Sequence, residues 1–353
     1  MKRDAFIPDT IWVRRSDGWM TPISRADDPA SWSEHVDRDE PVIIQVDDGN
    51  LRDGKGIVPT SSSSAPEVMA EMVDLLDLKP GMNVLEIGTG TGYNAALIAE
   101  RVTPGSVTTV EIDPSIADHA RQSLRRAGLP VTVITGNGSD GYADNAEYDR
   151  VTATASLRTV PKTWIAQARV GGLLVLPFSG SFNRGAFLRL SVDSPGVASG
   201  HFHGTASFMR LRDQRPPKAV WWDSYDQLRV TTTDVNSREP FDRYEAGFAL
   251  GLVCPGLVTG KRTEPDGEQF LRLSDAESGS WASFAGTPDD GRYEVAQHGP
   301  RNLWDELESA YQWWTQAGRP EHTRFGLTVT PDAQTVWLDT PSNPVPSFGP
   351  FSL

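Results

Sequence analysis

One stretch, residues 82–100 (MNVLEIGTGTGYNAALIAE), constrains the fold more than any other. Val84, Leu85 and Ile87 make a short apolar run suited to a buried strand. Gly88, Gly90 and Gly92 follow at alternate positions, and Ala95, Ala96, Ile98 and Ala99 then carry a helical pattern. The expectation is strand, glycine turn, helix. Glycine suits such a turn because the chain must bend tightly and let a ligand approach its backbone without a Cβ in the way. The following helix aims its free N–H groups and positive dipole end at whatever lies in the turn. A nucleotide-type ligand is implied, but the spacing Gly88-x-Gly90-x-Gly92 after Glu86 is not the G-x-G-x-x-G of dinucleotide folds. A second acid, Glu111, closes the next strand-like run, 107–113, where such an acid accepts ribose hydroxyls.

Around this unit, residues 56–195 alternate between the two periodicities. Helical patterns fall at 67–76, 114–127 and 161–168, and strands at 131–135, 148–155 and 173–178, which predicts a doubly wound parallel sheet. From Ala186 the runs AFLRLSV and HFHGTASFMRLRD read as strands. Pro216-Pro217 then marks a boundary, because consecutive prolines block helix and ladder alike. Three parts are expected: an N-terminal extension, 1–55, too small to fold alone and packed on its neighbour; a central domain, 56–215; and an α+β domain, 216–353. The last holds one clear helix, 302–316, with an apolar stripe of Leu303, Leu307, Ala310, Tyr311 and Trp314. Trp221 and Trp222 belong to the same aromatic-rich region.

The net charge of −14 argues against a general nucleic-acid binder, which needs a basic face. A single cysteine, Cys254, rules out an internal disulfide and fits a reducing compartment. No apolar run is long enough to span a membrane and no export signal is visible, so a cytoplasmic protein is expected. No metal-ligand set stands out, His201-x-His203 lacking a third partner.

The E-x-G-x-G-x-G form resembles motif I of S-adenosylmethionine-dependent methyltransferases, and the acid of the strand suits a cofactor carrying an amino group and a sulfonium. Ahead of it, Thr60-Ser61-Ser62-Ser63-Ser64-Ala65-Pro66-Glu67 leads into a helix, and Ser64-x-x-Glu67 has capping-box spacing. Ser64-Ala65-Pro66 followed by motif I is similar to the protein-L-isoaspartate O-methyltransferase family, whose segment I-S-A-P-H-M carries a serine at the reaction centre. Gly136-Asn137-Gly138 with Tyr148-Asp149 resembles that family's G-D-G and Y-D.

The resemblance implies a Rossmann-like class I methyltransferase sheet and S-adenosylmethionine as cofactor, with S-adenosylhomocysteine as product. It further implies Ser64 at the reaction centre, orienting the carboxylate, and a cofactor site made of Ser62, Ser63, Ala65, Glu86, Gly88, Thr89, Gly90, Gly92, Glu111, Ile112, Asn137 and Gly138. Three departures stand out. Glu67 replaces the family's histidine and sets an anion where an anionic substrate arrives; Asn137 replaces an aspartate; and the region after 215 has no counterpart in the short repair enzymes.

The pieces IIQVDDG, PTSSSSAP, LEIGTGTGYNAAL and GPRNLWDELESAYQWW resemble methyltransferases of actinobacterial ribosomal-peptide maturation systems (lanthipeptide, graspetide and lasso peptide). That resemblance implies methylation of an aspartate in a cyclised precursor peptide and closure of the ester to a succinimide, or aspartimide, which can open to isoaspartate. The alternative is protein isoaspartate repair. For substrate contact the sequence offers the basic run Arg210, Arg212, Arg215 and Lys218, which can pair with an acidic peptide despite the overall negative charge.

Overall fold

The computed structural model describes residues 1–102, 106–182, 184–216, 228–236, 239–263, 269–285 and 291–348. Lys218, Trp221 and Trp222 lie outside the described residues.

The chain begins with β1 (Thr10–Arg14), β2 (Met20–Ser24), α1 (Pro29–Asp37), β3 (Val42–Val46) and β4 (Pro59–Ser63). These strands pair in the order β2-β1-β3-β4, antiparallel throughout. Trp32 and Val36 of α1 close a small core with Ile7, Ile11 and Val42. The serine run is therefore the edge strand of the N-terminal sheet, and ladder hydrogen bonds cross the boundary expected at 55/56.

The central unit follows as α2 (Pro66–Leu75), β5 (Val84–Ile87), α3 (Tyr93–Arg101), β6 (Val107–Glu111), α4 (Pro114–Arg126), β7 (Thr132–Thr135), β8 (Tyr148–Ala153), α5 (Lys162–Gln167), β9 (Ala168–Ser179), β10 (Gly185–Ser194) and β11 (Val197–His203). Strands β5 to β9 are parallel. β5, β6 and β8 are short and almost wholly buried, as strands covered on both faces must be. Successive crossovers run one way from β5 to β6 and β7 and the other way to β8 and β9, so the winding reverses between β5 and β8. A crevice opens at the carboxyl ends of the strands at such a reversal. This is the expected class I methyltransferase architecture. The run expected to be one strand from 201 to 213 stops at His203. Beyond it the chain is irregular to residue 216 apart from a bridge at Arg210 and a single 3-10 turn, Arg212–Gln214, and it crosses the mouth of that crevice.

The remaining elements are β12 (Arg229–Thr233), α6 (Glu239–Asp242), α7 (Tyr244–Val253), β13 (Val258–Thr263), β14 (Gln269–Asp275), β15 (Ser280–Ala285), β16 (Tyr293–His298), α8 (Leu303–Gln316), β17 (Phe325–Val329) and β18 (Gln334–Leu338). Five of these strands form an antiparallel sheet, β12-β16-β15-β14-β13. Its apolar face, with Leu273, Phe284 and Val295, packs on the stripe of α8, whose Leu303, Leu307, Ala310, Tyr311 and Trp314 are buried as expected. β17 and β18 return to the central sheet and pair beyond β11, extending it to nine strands. The division at 215/216 is thus crossed by sheet hydrogen bonds, and one apolar core runs from Trp164 through Phe178 and Phe248 to Trp304. Among the described residues no helix is long and apolar enough to cross a membrane.

Candidate active site

The glycine turn is built from backbone conformations that side chains disfavour. Gly88, Gly90 and Gly92 have φ of +92°, +52° and +84°, the left-handed region where only glycine sits without strain. A Cβ on Gly88 would lie 2.6 Å from Thr154 Oγ1, and one on Gly90 would lie 3.2 Å from the Ser62 carbonyl oxygen. The alternate spacing is thereby explained: each glycine reverses the path once. Gly92 is the cap residue of α3 and offers no side-chain cap; the first N–H of the helix, that of Tyr93, reaches Thr91 Oγ1 at 3.4 Å.

Two acids hold this turn, in different ways. Glu111 is almost fully buried; its Oε2 accepts the Gly90 N–H at 3.0 Å and its Oε1 accepts the Asp113 N–H at 3.1 Å. Burial raises its pKa from the ordinary value, and those backbone donors oppose the rise. Glu86 is wholly enclosed and accepts from Asn94 Nδ2 at 2.7 Å and Thr109 Oγ1 at 2.6 Å. Burial pushes its pKa up to about 7.

A cleft of about 650 Å³ lies over the turn, within the range of small-molecule sites. Ser62, Ser64, Ala65, Gly88, Gly90, Glu111, Ile112, Asn137 and Gly138 line it, together with Arg210, Arg212 and Arg215. Four expected cofactor residues do not. Ser63 is buried against Arg3, which donates from Nε to Ser63 Oγ (3.3 Å) and from Nη2 to the Ser63 carbonyl (3.0 Å). Of Ser61, Ser62, Ser63 and Ser64, Ser63 alone is absent from the cleft lining. Glu86 and Thr89 form an internal network through Thr109, with Thr89 Oγ1 and Thr109 Oγ1 2.8 Å apart. Gly92 packs on Leu124, where a Cβ would approach within 3.3 Å. These residues shape the turn from behind.

The capping box is also absent. Helix α2 starts at Pro66 with Ala65 as its cap residue, and the Glu67 N–H is taken at 3.0 Å by Asp39 of the N-terminal layer. The Ser64 hydroxyl has no hydrogen bond within the described residues and faces the cleft. Glu67 is exposed and does not line the cleft, so it sets no anion beside the arriving substrate.

The arginines divide into two kinds. Arg215 donates to both oxygens of Asp48, at 2.6 and 3.1 Å, and Arg212 Nη2 lies 3.0 Å from Asp48 Oδ1. The Arg215 hydrogen bond leads the effects that hold Asp48 below the usual carboxylate range. Asp48 thus ties the N-terminal layer to the 204–216 segment across the cleft. Arg210 instead donates to the Ser179 carbonyl (3.0 Å) and hydroxyl (2.8 Å). Sequence reasoning also missed the cleft residues Gln45, Thr154, Thr205, Ser207, Phe208 and Met209. Gln45 had a signal in the alternation of PVIIQV; the 205–209 segment had none, because its fold depends on Ala206 N–H reaching the Gly185 carbonyl at 2.8 Å.

These features fit a nucleoside-bearing donor. Each Glu111 oxygen accepts one backbone N–H and retains a lone pair for a ribose hydroxyl. Asn137 Oδ1 accepts the Ser139 N–H at 3.1 Å, fixing its amide at the cleft beside Gly138 for an adenine edge. Gly88 and Gly90 both line the cleft, so glycine backbone borders the space a ligand would fill.

A family model described as protein-L-isoaspartate(D-aspartate) O-methyltransferase matches residues 29–203. The protein-L-isoaspartate O-methyltransferase of Hyperthermus butylicus is 41% identical over 167 residues, 41% of this chain and 68% of that protein. That of Pyrococcus horikoshii is 40% identical over 149 residues, 42% of this chain and 67% of that protein. A solved structure of a protein-L-isoaspartate O-methyltransferase has a TM-score of 0.51 at 21% identity, covering 87% of this chain and 89% of that one. The likeness in fold thus runs past residue 215, and chain length does not set this protein apart. The chain belongs to the protein-L-isoaspartate O-methyltransferase family, and is an S-adenosylmethionine-dependent O-methyltransferase.

Proposed function

We propose that the enzyme methylates the side-chain carboxylate of an aspartate in a cyclised ribosomal peptide, preparing it for closure to a succinimide. The observation that carries the carboxylate chemistry is Ser64: its hydroxyl lies at the cleft with no hydrogen-bond partner among the described residues, in the same cleft as Gly88 and Gly90 of the glycine turn. S-adenosylmethionine supplies a methyl group activated by its sulfonium. The chain then has to bind, align and dry the nucleophile. An aspartate is already ionised near neutral pH, with a reference pKa of about 3.9, so no strong general base is required. Ser64 donates its proton to one carboxylate oxygen as a hydrogen bond and leaves the other aimed along the line of displacement. Pro41, Ile43, Val68, Phe208 and Met209 line the cleft with apolar surface that excludes water. After release, the next residue's backbone nitrogen attacks the ester, forming the C–N bond of the succinimide while methoxide leaves and takes up the amide proton as methanol.

The peptide-maturation substrate is supported by the resemblance of the flanking segments around 43–49, 59–66 and 299–314. The competing reading, repair of isoaspartyl residues in damaged proteins, is supported by the names of the relatives. Both place the enzyme in the cytoplasm, in keeping with its single, buried cysteine. Mass spectrometry after incubation with S-adenosylmethionine separates them. Methyl ester and then a dehydrated product on a cyclised precursor alone supports maturation; efficient methylation of a generic isoaspartyl peptide overturns it in favour of repair.

A further inference from the structure

We propose that Arg158 and Arg210 together receive a second carboxylate of the peptide, the side chain of an acidic residue next to the one methylated. The proposal rests on the peptide substrate proposed for the same cleft and names what else that peptide must carry.

The two arginines are brought together by backbone pairing. Ser156 bridges to Arg210, with its N–H on the Met209 carbonyl at 2.8 Å and its carbonyl accepting the Leu211 N–H at 3.0 Å. Leu157 bridges to Phe178, and its carbonyl accepts the Ser179 N–H at 2.9 Å. Residue 158 therefore follows directly on a strand pair that ends at Ser179, the residue whose carbonyl and hydroxyl hold the Arg210 guanidinium. The Arg158 main chain is pinned by Gln214 Oε1, which accepts its N–H at 2.7 Å.

The pair lacks an anion. The acceptors of Arg210 are all neutral, and the Arg158 guanidinium makes no hydrogen bond or ion pair within the described residues although it is withdrawn from water. Burial depresses Arg158, and burial together with repulsion from Arg158 brings Arg210 down to about 10. Two half-buried cations side by side are unfavourable unless an anion joins them. Arg212 and Arg215, on the same segment, already have theirs in Asp48. A guanidinium with five forked donors selects a planar carboxylate, and Arg210 lines the cleft in which the methyl-accepting carboxylate must sit.

The test uses two cyclised aspartyl peptides of the proposed substrate class, identical except for Glu or Gln beside the aspartate. Affinity is measured calorimetrically in the presence of S-adenosylhomocysteine, and methyl-ester formation is measured separately. The parent enzyme should bind the Glu peptide on the order of tenfold more tightly than the Gln peptide. Arg158→Gln should bring the two to equality, and Arg158→Lys, which keeps the charge, should retain part of the difference. Equal affinity of the parent for both peptides, including no measurable binding of either, overturns the proposal. So does a tenfold loss of S-adenosylhomocysteine affinity in Arg158→Gln, which would assign the pair to the cofactor's own carboxylate. Should Arg158→Gln not fold, the Lys variant and closure of the Glu/Gln gap at high salt carry the same decision. Tight S-adenosylhomocysteine binding with no methyl transfer to either peptide would sink the proposed aspartyl-carboxylate chemistry, while the affinity difference still decides the arginine pair.

Discussion

On the β5–β6 side of the cleft each carboxylate is already held by two hydrogen bonds from the chain before a ligand arrives; on the 205–215 side the cations are not all paired among the described residues. Glu111 and Glu86 each accept two hydrogen bonds from the chain, and those bonds fix the path of the glycine turn. Facing them, Arg212 and Arg215 share one acid borrowed from the N-terminal layer, and Arg158 has none among the described residues. A wall that must present the same shape to one cofactor in every turnover gains from preorganisation. A wall that must admit an anionic, variable peptide needs donors left free. On the proposed reading, the contrast marks where the cofactor wall ends and the peptide wall begins.

The largest effect that sharpens the contrast is expected at Glu111. Glu111→Ala removes the acceptors for the ribose and strands the Gly90 and Asp113 N–H groups. Each hydrogen bond to a charged group is worth about 1.5–3 kcal/mol, so the S-adenosylhomocysteine dissociation constant should rise at least about a hundredfold by calorimetry. An unchanged constant would remove the nucleoside from this wall.

Glu86 breaks the comparison in another way, because its occupancy serves the fold alone. Its carboxyl is pushed up to about 7 in the folded protein against an ordinary value of 4.5. A raised folded pKa means that the native state holds the proton more tightly. Its contribution is therefore complete below about pH 4.5 and is lost as pH rises through about 7. Glu86→Gln keeps an acceptor for Asn94 and a partner for Thr109 while removing the charge. The variant should be more stable than the parent at pH 8 by about 3 kcal/mol, read as a higher melting temperature, with the gap closing toward pH 4.5. A gap independent of pH would show that Glu86 is not the titrating group.

How much of this was legible beforehand differs along the same line. The cofactor wall is a local object: strand, glycine turn and acid at the strand end are contiguous in residues 82–113, and side chains confined to one short loop declare themselves by spacing. Ser64 was singled out by the resemblance of Ser64-Ala65-Pro66, ahead of motif I, to the family's serine-bearing segment. Its bland role as a cap was wrong because Asp39, 28 residues earlier, takes the Glu67 N–H instead. Ser63, Glu86 and Thr89 were misplaced for a physical reason. Spacing tells which residues are near the turn, but the pleat of β4 and the depth of β5 decide which face they present. Asp48 with Arg215, Arg158 with Arg210, and β17 with β11 are pairings across 167, 52 and about 130 residues, and nothing local in the sequence encodes them.

Ser64 stands between the two walls. Ser64→Ala should lower kcat about ten- to a hundredfold, the value of one hydrogen bond to a charged group, while S-adenosylhomocysteine affinity stays within about twofold, as expected of a group that touches only the substrate. A matching loss in cofactor affinity would move Ser64 to the other wall.

The smallest effect is expected at the Asp48 clasp, and it is the one that tests whether the substrate wall is adjustable. Asp48 faces Arg212 and Arg215 with side chains about a third exposed, so solvent screening limits the pair to about 1 kcal/mol. Asp48→Asn frees two guanidinium groups without removing the loop's other anchors, the Ile57 and Val58 N–H groups held by Asp47. If the clasp competes with an acidic peptide for those groups, the variant's KM for that peptide should fall about two- to fivefold with kcat nearly constant. Acid should mimic the substitution: Asp48 is held below its ordinary pKa, so the clasp persists at neutral pH and is lost as pH falls through that depressed value. A rise in KM would mean the reverse, that Asp48 orders the 204–216 segment and the peptide binds the closed form. The two walls would then be equally preorganised, and selectivity would rest on Arg158 and Arg210 alone.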